Sequence, residues 1–426
     1  MKTLSETLTR ALRRYLLGRG SRLVFERADT VELPPIQETG LYIHIPFCKA
    51  TCPYCPYNKV EYDRRLVEPY VEALLMEVER YYARLGAIDI SSVYIGGGTP
   101  TLLSDEMPAI LGRVRDRFNV KGDICIETNP SDVGEETVAG LLDCGVRLVS
   151  VGVQSFDDRY LDLIGRNYRA SSVYPALELL RSAGFDSVNL DLMFALPGQT
   201  VADVLSDLHR AIDSGADQVT LYPLFTFPYT AAGKYLNLRR VKMPNIVARR
   251  RMYRAIHRYC LDNGFERVSV WGFNRGDAPR YSSVTRDNYI GLGAGAGSHV
   301  PGVFYFNTFS VEEYIRTCLH DRLPVAFSMD LTEPLSRYYW LYWRLYDSYI
   351  PKAQLSERFR QDGRKVRRML ALARLLGLCA EEDERFPLTE SGAFWLHLLQ
   401  NYFALDYIDR VWSVAMAEAW PNEIRI

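Results

Sequence analysis

The chain has 426 residues, 48% hydrophobic and 24% charged, with a formal net charge of −1. This is ordinary globular composition, long enough for two or three domains, and near-neutral charge excludes a strong argument for nucleic acid or an anionic membrane as partner. No apolar run approaches the roughly 20 residues of a membrane span and no secretory leader is evident, so a cytoplasmic protein is expected.

Residues 1–38 carry Leu4, Leu8, Leu12 and Leu16 at helical spacing beside Arg10, Arg13, Arg14 and Arg19. The spacing predicts an amphipathic helical arm docked on the body. A transit peptide and a helix for a partner are the competing readings. After Pro34-Pro35, residues 39–305 alternate. Strands are predicted at 41–47, 92–95, 123–128, 148–153, 188–194, 218–224 and 267–271, and helices at 67–85, 107–118, 135–142, 172–183, 201–212 and 243–263. Such alternation builds parallel βα units. It predicts an α/β fold, a partial TIM-type (β/α)6 barrel whose chemistry sits where strands end. Over 306–426 helices dominate. Two short helices within 355–376, a polar stretch at 379–388 and a helix opened by Thr389 predict a helical, winged-helix-like C-terminal domain. The segment is not strongly basic, which favours packing or a lid over DNA binding.

Of eight cysteines, Cys48, Cys52 and Cys55 crowd the loop after the first strand, while Cys125, Cys144, Cys260, Cys318 and Cys379 are scattered. The scattered five read as small buried apolar residues. One local cluster in a long chain argues against a disulfide framework. Gaps of three residues and then two let a single loop wrap three thiolates around a 4Fe–4S cubane. One iron is then left without a protein ligand, the open position that catalysis needs. A structural zinc site needs a fourth ligand that nothing nearby completes, His44 lying just upstream on the strand. A redox Cys-x-x-Cys would leave Cys48 idle.

Gly96-Gly97-Gly98-Thr99-Pro100 follows the second strand. It is either a tight turn or a backbone cradle for a ligand. Glu127 ends the third strand and Gln154 the fourth. Asp191 interrupts the apolar fifth, and Arg166 lies on the loop after Gln154. One such residue alone is often a satisfied core group. Several around one mouth are better explained by a polar ligand, with Arg166 suited to a carboxylate. The glycine-rich run 291–297 is expected to close over the site. His299 behind it is read as a heme or proton ligand or, more simply, a structural surface histidine. Phe225, Phe227, Tyr229, Trp271 and Phe273 either wall a flat conjugated ring or pack the core and rim.

Four motifs together, Tyr42-Ile43-His44-Ile45-Pro46-Phe47-Cys48, Gly96-Gly97-Gly98-Thr99-Pro100-Thr101, Gly152-Val153-Gln154-Ser155-Phe156-Asp157 and Leu196-Pro197-Gly198-Gln199-Thr200, resemble one family. It is the oxygen-independent coproporphyrinogen III oxidase-like branch of radical S-adenosylmethionine (SAM) enzymes. The likeness runs over about 41–307 and continues weakly at 388–399. It implies reductive cleavage of SAM to a 5′-deoxyadenosyl radical, two bound SAM molecules, and an electron donor of flavodoxin or ferredoxin type. It implies that Tyr42, Gly97 and Glu127 hold the cluster-bound SAM. Tyr54, Gly98, Thr99, Gln154, Arg166, Asp191 and Phe225 would line the second SAM or substrate position. True oxidases look like Cys-Gly-Cys-Asn-Lys where this chain has Cys55-Pro56-Tyr57-Asn58-Lys59, and like Tyr-Gly-Leu-Pro where it has Phe194-Ala195-Leu196-Pro197. Those departures count against propionate decarboxylation. Residues 292–297 and 388–395 look more like the anaerobilin synthase and radical C-methyltransferase branches, where a second SAM gives up a one-carbon group. The expected substrate is a tetrapyrrole or another conjugated ring. A coproporphyrinogen oxidase and a non-catalytic heme chaperone are the alternatives, and nothing demands more than a monomer.

Overall fold

The computed structural model describes residues 11, 14–15, 23–234, 242–281, 287–360 and 363–426. Six parallel strands carry the fold: β1 (Glu38–Ile45), β2 (Asp89–Gly97), β3 (Ile124–Thr128), β4 (Leu148–Gln154), β5 (Ser187–Phe194) and β6 (Gln218–Pro223), paired in that order. The main helices among them are α1 (Arg64–Leu85), α2 (Met107–Arg117), α3 (Glu135–Asp143), α4 (Val173–Ala183) and α5 (Val201–Asp213), with α6 (Ile246–Asp262) after β6. Alternation along β1 sends Leu41, Ile43 and Ile45 into the apolar core beneath the helices, so Tyr42 and His44 face the concave side. Local chemistry sets the helix ends. The Asp63 carboxylate accepts from Arg65 N–H to open α1, and Thr200 and Asp203 form a reciprocal capping box at α5.

Among the described residues the sheet stays open. Beyond β1 it adds Tyr289–Leu292 in parallel. Gly297–Val300, Val303–Asn307, Val325–Asp330, Val24–Arg27 and Glu423–Arg425 then follow, each antiparallel to the last. Beyond β6 it continues through Gly272–Arg275 to Phe265–Arg267. The expected fold class is thus present as a partial barrel with a long antiparallel wing on its first edge.

Several local expectations change. The helical spacing from Leu4 to Leu16 lies outside the described residues. From Leu23 onward the arm is not helical, and Val24–Arg27 is a strand. Its Phe25 is fully buried with Phe306, Phe327 and Ile424, which favours an extended segment over a helix. The strand expected at 267–271 is instead two, because the Val268 and Ser269 N–H groups both turn back to the Gly272 carbonyl. The boundary expected after residue 305 falls inside Val303–Asn307, so the segment beyond it supplies sheet as well as helices.

Past that strand, α7 (Glu333–Tyr346), Lys352–Arg358, Gly363–Leu375 and α8 (Glu390–Ala415) pack with a two-stranded wing, Tyr349–Pro351 against Arg385–Pro387. Trp340, Ile350, Leu355, Phe359, Val366 and Leu370 give this region an apolar cluster of its own. Thr389 caps α8 through the Gly392 N–H at 3.0 Å. The five scattered cysteines are buried thiols. No helix among the described residues is long and apolar enough to cross a membrane.

Candidate active site

The cysteine loop leaves the end of β1 and is pinched at its base. Val60 N–H donates to the Pro46 carbonyl and Tyr62 N–H to that of Cys48, both at 2.8 Å. Inside the loop the Cys55 N–H turns back to the Cys52 carbonyl at 3.2 Å, and Lys59 Nζ donates to the Cys55 carbonyl at 2.7 Å. Asn58 is buried and anchors the far side, donating to the carbonyls of Ala294 (3.1 Å) and Phe309 (2.9 Å). Its own carbonyl accepts from His44 Nε2 at 2.9 Å, which leaves His44 Nδ1 to accept from Tyr42 Oη at 2.7 Å. Burial pushes His44 down to about 4, so the imidazole is neutral at pH 7, as this hydrogen-bond pattern requires.

The glycine turn at the end of β2 clasps the same loop. Gly98 N–H donates to the Ile45 carbonyl and Thr99 N–H to that of Phe47, each at 2.8 Å. A Cβ on Gly98 would stand 2.5 Å from the Phe47 carbonyl oxygen, so only glycine permits this approach. Thr99 Oγ1 donates to Cys48 Sγ at 3.9 Å and accepts from Asn129 Nδ2 at 2.8 Å, while Asn129 Oδ1 accepts from Arg166 Nη1 at 3.0 Å. A continuous chain therefore links Arg166, across the ends of β3 and β2, to a loop thiol. Arg166 Nε is buried without a partner, and the guanidinium lies 5.9 Å from the Tyr54 ring centre.

The remaining polar candidates share the concave face. Glu127 Oε2 accepts from Gly97 N–H at 3.1 Å, and Oε1 accepts from Tyr94 Oη. Burial, then the charge of Asp191, push Glu127 up to about 7 against the two donors. Asp191 accepts from Asn189 Nδ2 (2.9 Å) and Ser150 Oγ (3.1 Å), and burial pushes it up to about 6. Gln154, held at φ +65° despite its side chain, accepts at Oε1 from Tyr222 Oη at 2.8 Å.

The other expectations diverge from one another. Phe225 sits on the loop after β6 with its ring 6.4 Å from Phe227. That loop crosses the cysteine loop through Tyr229 Oη to the Pro56 carbonyl (3.0 Å) and Ala232 N–H to that of Pro53 (2.8 Å). Trp271 and Phe273 are buried core residues, Trp271 donating to His397 Nε2 at 3.0 Å. The run 291–297 is no lid. Gly291 and Leu292 belong to a strand paired with β1, and Gly293 packs so closely that a Cβ would lie 2.4 Å from the His44 carbonyl oxygen. His299 is buried, not on the surface, and stacks on Tyr339 at 4.0 Å. It pairs with Tyr289, whose own partner is Gly40 near the start of β1, at the end of the sheet away from the cysteine loop.

Tyr94, Asn129, Tyr222 and Tyr281 were not singled out by the sequence. A signal existed for one of them: Tyr42 and Tyr94 are register partners on β1 and β2, so the inward parity of one implies the other. Asn129, just past the end of β3, needed the fold.

The donor set suits an iron–sulfur cluster. Burial and then neighbouring Cys55 push the Cys48 thiol up to about 11, and burial raises Cys55 as well. Thiols in such surroundings ionise when a bound metal supplies positive charge. Among the described residues no three His, Cys, Asp or Glu side chains gather on a single ion position. A cubane spreads its three thiolates over three irons, so its ligands do not meet at one point.

Residues 42–211 match the Radical SAM superfamily. The chain is 30% identical to the heme chaperone HemW of Bacillus subtilis over 298 residues, 68% of this chain and 79% of the relative. It is 26% identical to the anaerobilin synthase of Escherichia coli O157:H7 over 373 residues, 85% of this chain and 83% of the relative. Its fold is similar to that of coproporphyrinogen III oxidase (HemN) from Escherichia coli, with a TM-score of 0.75, 20% identity, and coverage of 90% of this chain and 94% of the other. Membership of the superfamily implies a 4Fe–4S cluster and SAM. The chain belongs to the radical SAM superfamily, in its coproporphyrinogen III oxidase-like branch.

Proposed function

We propose that the chain is a radical SAM enzyme acting on a tetrapyrrole, with Cys48, Cys52 and Cys55 as cluster ligands. The observation that carries this reading is the convergence, at one end of the parallel strands, of the three-thiol loop, the Gly97–Glu127 contact and the Arg166–Asn129–Thr99–Cys48 chain. When bound, the cluster supplies the electron that breaks the sulfonium bond of SAM and releases the 5′-deoxyadenosyl radical.

The chain's own groups divide the remaining work. Glu127, its two oxygens holding one donor each, keeps lone pairs for the N–H of the SAM amino group. Tyr42 and Gly97 complete that position. Arg166, with its unpartnered Nε, suits the carboxylate of a second SAM or a propionate of the substrate. Tyr54, Gly98, Thr99, Gln154, Asp191 and Phe225 line this second position. Tyr57, on the cysteine loop, is 57% exposed, and an exposed aromatic ring there suits stacking on a flat ligand. In this reading the second SAM is a methyl donor or co-substrate, a flavodoxin- or ferredoxin-type protein is the reductant, and the protein works as a cytoplasmic monomer.

A heme-carrying role without SAM turnover is the second reading, favoured by the relative that bears the name heme chaperone. Anaerobic incubation of reconstituted protein with dithionite and SAM, with hemin, with coproporphyrinogen III and with neither, separates the readings by mass spectrometry. Methyl transfer yields 5′-deoxyadenosine and S-adenosylhomocysteine. Decarboxylation of coproporphyrinogen releases carbon dioxide without the homocysteine product. Tight hemin binding with little SAM turnover leaves the carrier.

A further inference from the structure

Glu127 is tethered from the far side of the barrel. Tyr281 Oη lies 2.6 Å from Tyr94 Oη, and Tyr94 Oη is bonded to Glu127 Oε1. Ionised, Glu127 only accepts, so Tyr94 donates to it. The single Tyr94 proton is then spent, and Tyr281 must donate to Tyr94. Both phenols are buried, with ring centres 5.4 Å apart. Tyr281 is itself clasped through its backbone by buried Gln218 of β6. Its N–H donates to Gln218 Oε1 and its carbonyl accepts from Gln218 Nε2, both at 3.0 Å. The segment after Gly272–Arg275 thus reaches back through two phenols to a carboxylate on β3. Nothing else in the described structure uses those hydroxyls.

We infer that Tyr281 and Tyr94 are positioning residues for SAM: a two-phenol strut that holds one oxygen of Glu127, as Gly97 N–H holds the other, and aims its free lone pairs at the SAM amino group. This rests on the proposed role of Glu127 above. The titratable groups facing that carboxylate are Tyr42, Tyr57, Tyr94, Tyr281 and Asp191, and the phenols stay neutral near pH 7. The strut stabilises the ionised carboxylate, so its loss acts most at low pH.

The test is SAM binding to reconstituted, dithionite-reduced protein, read from the SAM-induced change in the cluster EPR signal between pH 6 and 9. Tyr94→Phe is expected to weaken SAM roughly tenfold near neutral pH, as for loss of a hydrogen bond to a charged group. Tyr281→Phe should weaken it about threefold. Both losses should shrink as pH rises, with iron content and the SAM-free signal unchanged. Wild-type affinity and pH profile in Tyr94→Phe overturn the inference. So does a loss that is equal at every pH and accompanied by a lower melting temperature, which marks packing alone. Glu127→Ala is the control. If it too binds SAM normally, the site reading falls; if it abolishes binding while Tyr94→Phe does not, only the strut falls.

Discussion

A buried glutamate and a half-buried one each sit beside a glycine turn in this molecule, and they differ in how fully they are enclosed and paired. Glu77 of α1 accepts from Gly293 N–H (2.9 Å), Tyr314 Oη (2.6 Å) and Asn307 Nδ2 (2.7 Å), and is wholly inaccessible. Glu127 accepts from Gly97 N–H and one phenol and remains partly open on the concave face. Burial pushes both up to about 7. A raised carboxyl is therefore no mark of function by itself; unfilled hydrogen-bonding capacity toward an open space distinguishes the two.

The comparison is sharpened first at the cysteine loop, where the largest effect is expected. Replacing Cys48, Cys52 and Cys55 together by alanine should remove iron and sulfide and bring SAM cleavage to background, with the fold kept by circular dichroism. Retained iron and sulfide would break the contrast at its root. Next, Glu77→Ala orphans three buried donors and should cost about 3 kcal/mol or more in urea unfolding. Iron loading and SAM affinity per folded molecule should hold.

The pH behaviour follows from the same residue. The folded carboxyl of Glu77 at about 7 lies above its ordinary 4.5. The folded state holds the proton more tightly, so this contribution is full below about 4.5 and is lost as pH rises through about 7. Glu77→Gln should flatten the fall in melting temperature across that window.

Glu127→Gln should do the reverse of Glu77→Ala: roughly tenfold weaker SAM binding, with stability changed by less than about 1 kcal/mol. In the parent protein SAM affinity should climb as pH rises through about 7, since an ionised carboxylate accepts from the amino N–H more strongly than a protonated one. The smallest effect is expected for Arg166→Lys. It keeps the charge but loses the planar fork, and a few-fold rise in the KM of the second ligand with unchanged cluster signal is the sign to look for.

Much of this contrast was legible in the chain. The three-then-two spacing, the glycines at 96–98 and the polar residues at successive strand ends pointed to the mouth, because strand alternation puts such residues on one face. The glycines at 291–297 misled, since composition cannot tell a lid from a turn packed against α1 and Asn58. Glu77 reads as one more polar position on an amphipathic helix until Tyr314 and Asn307, more than 200 residues away, close over it. Phe25 likewise declares a strand only once Phe327 and Ile424 are beside it.

By itself the sequence determined what is local: the βα alternation, the loop that gathers three thiols, and the glycine that lets β2 touch it. Each is written in a short run of residues, where spacing and side-chain chemistry suffice to read it. Tertiary structure alone decided which carboxylate stays unsaturated, which histidine is sealed, and that Tyr281 reaches Tyr94 across 187 positions of chain. Those outcomes turn on which distant donors arrive to fill a buried acceptor, and that is settled by packing.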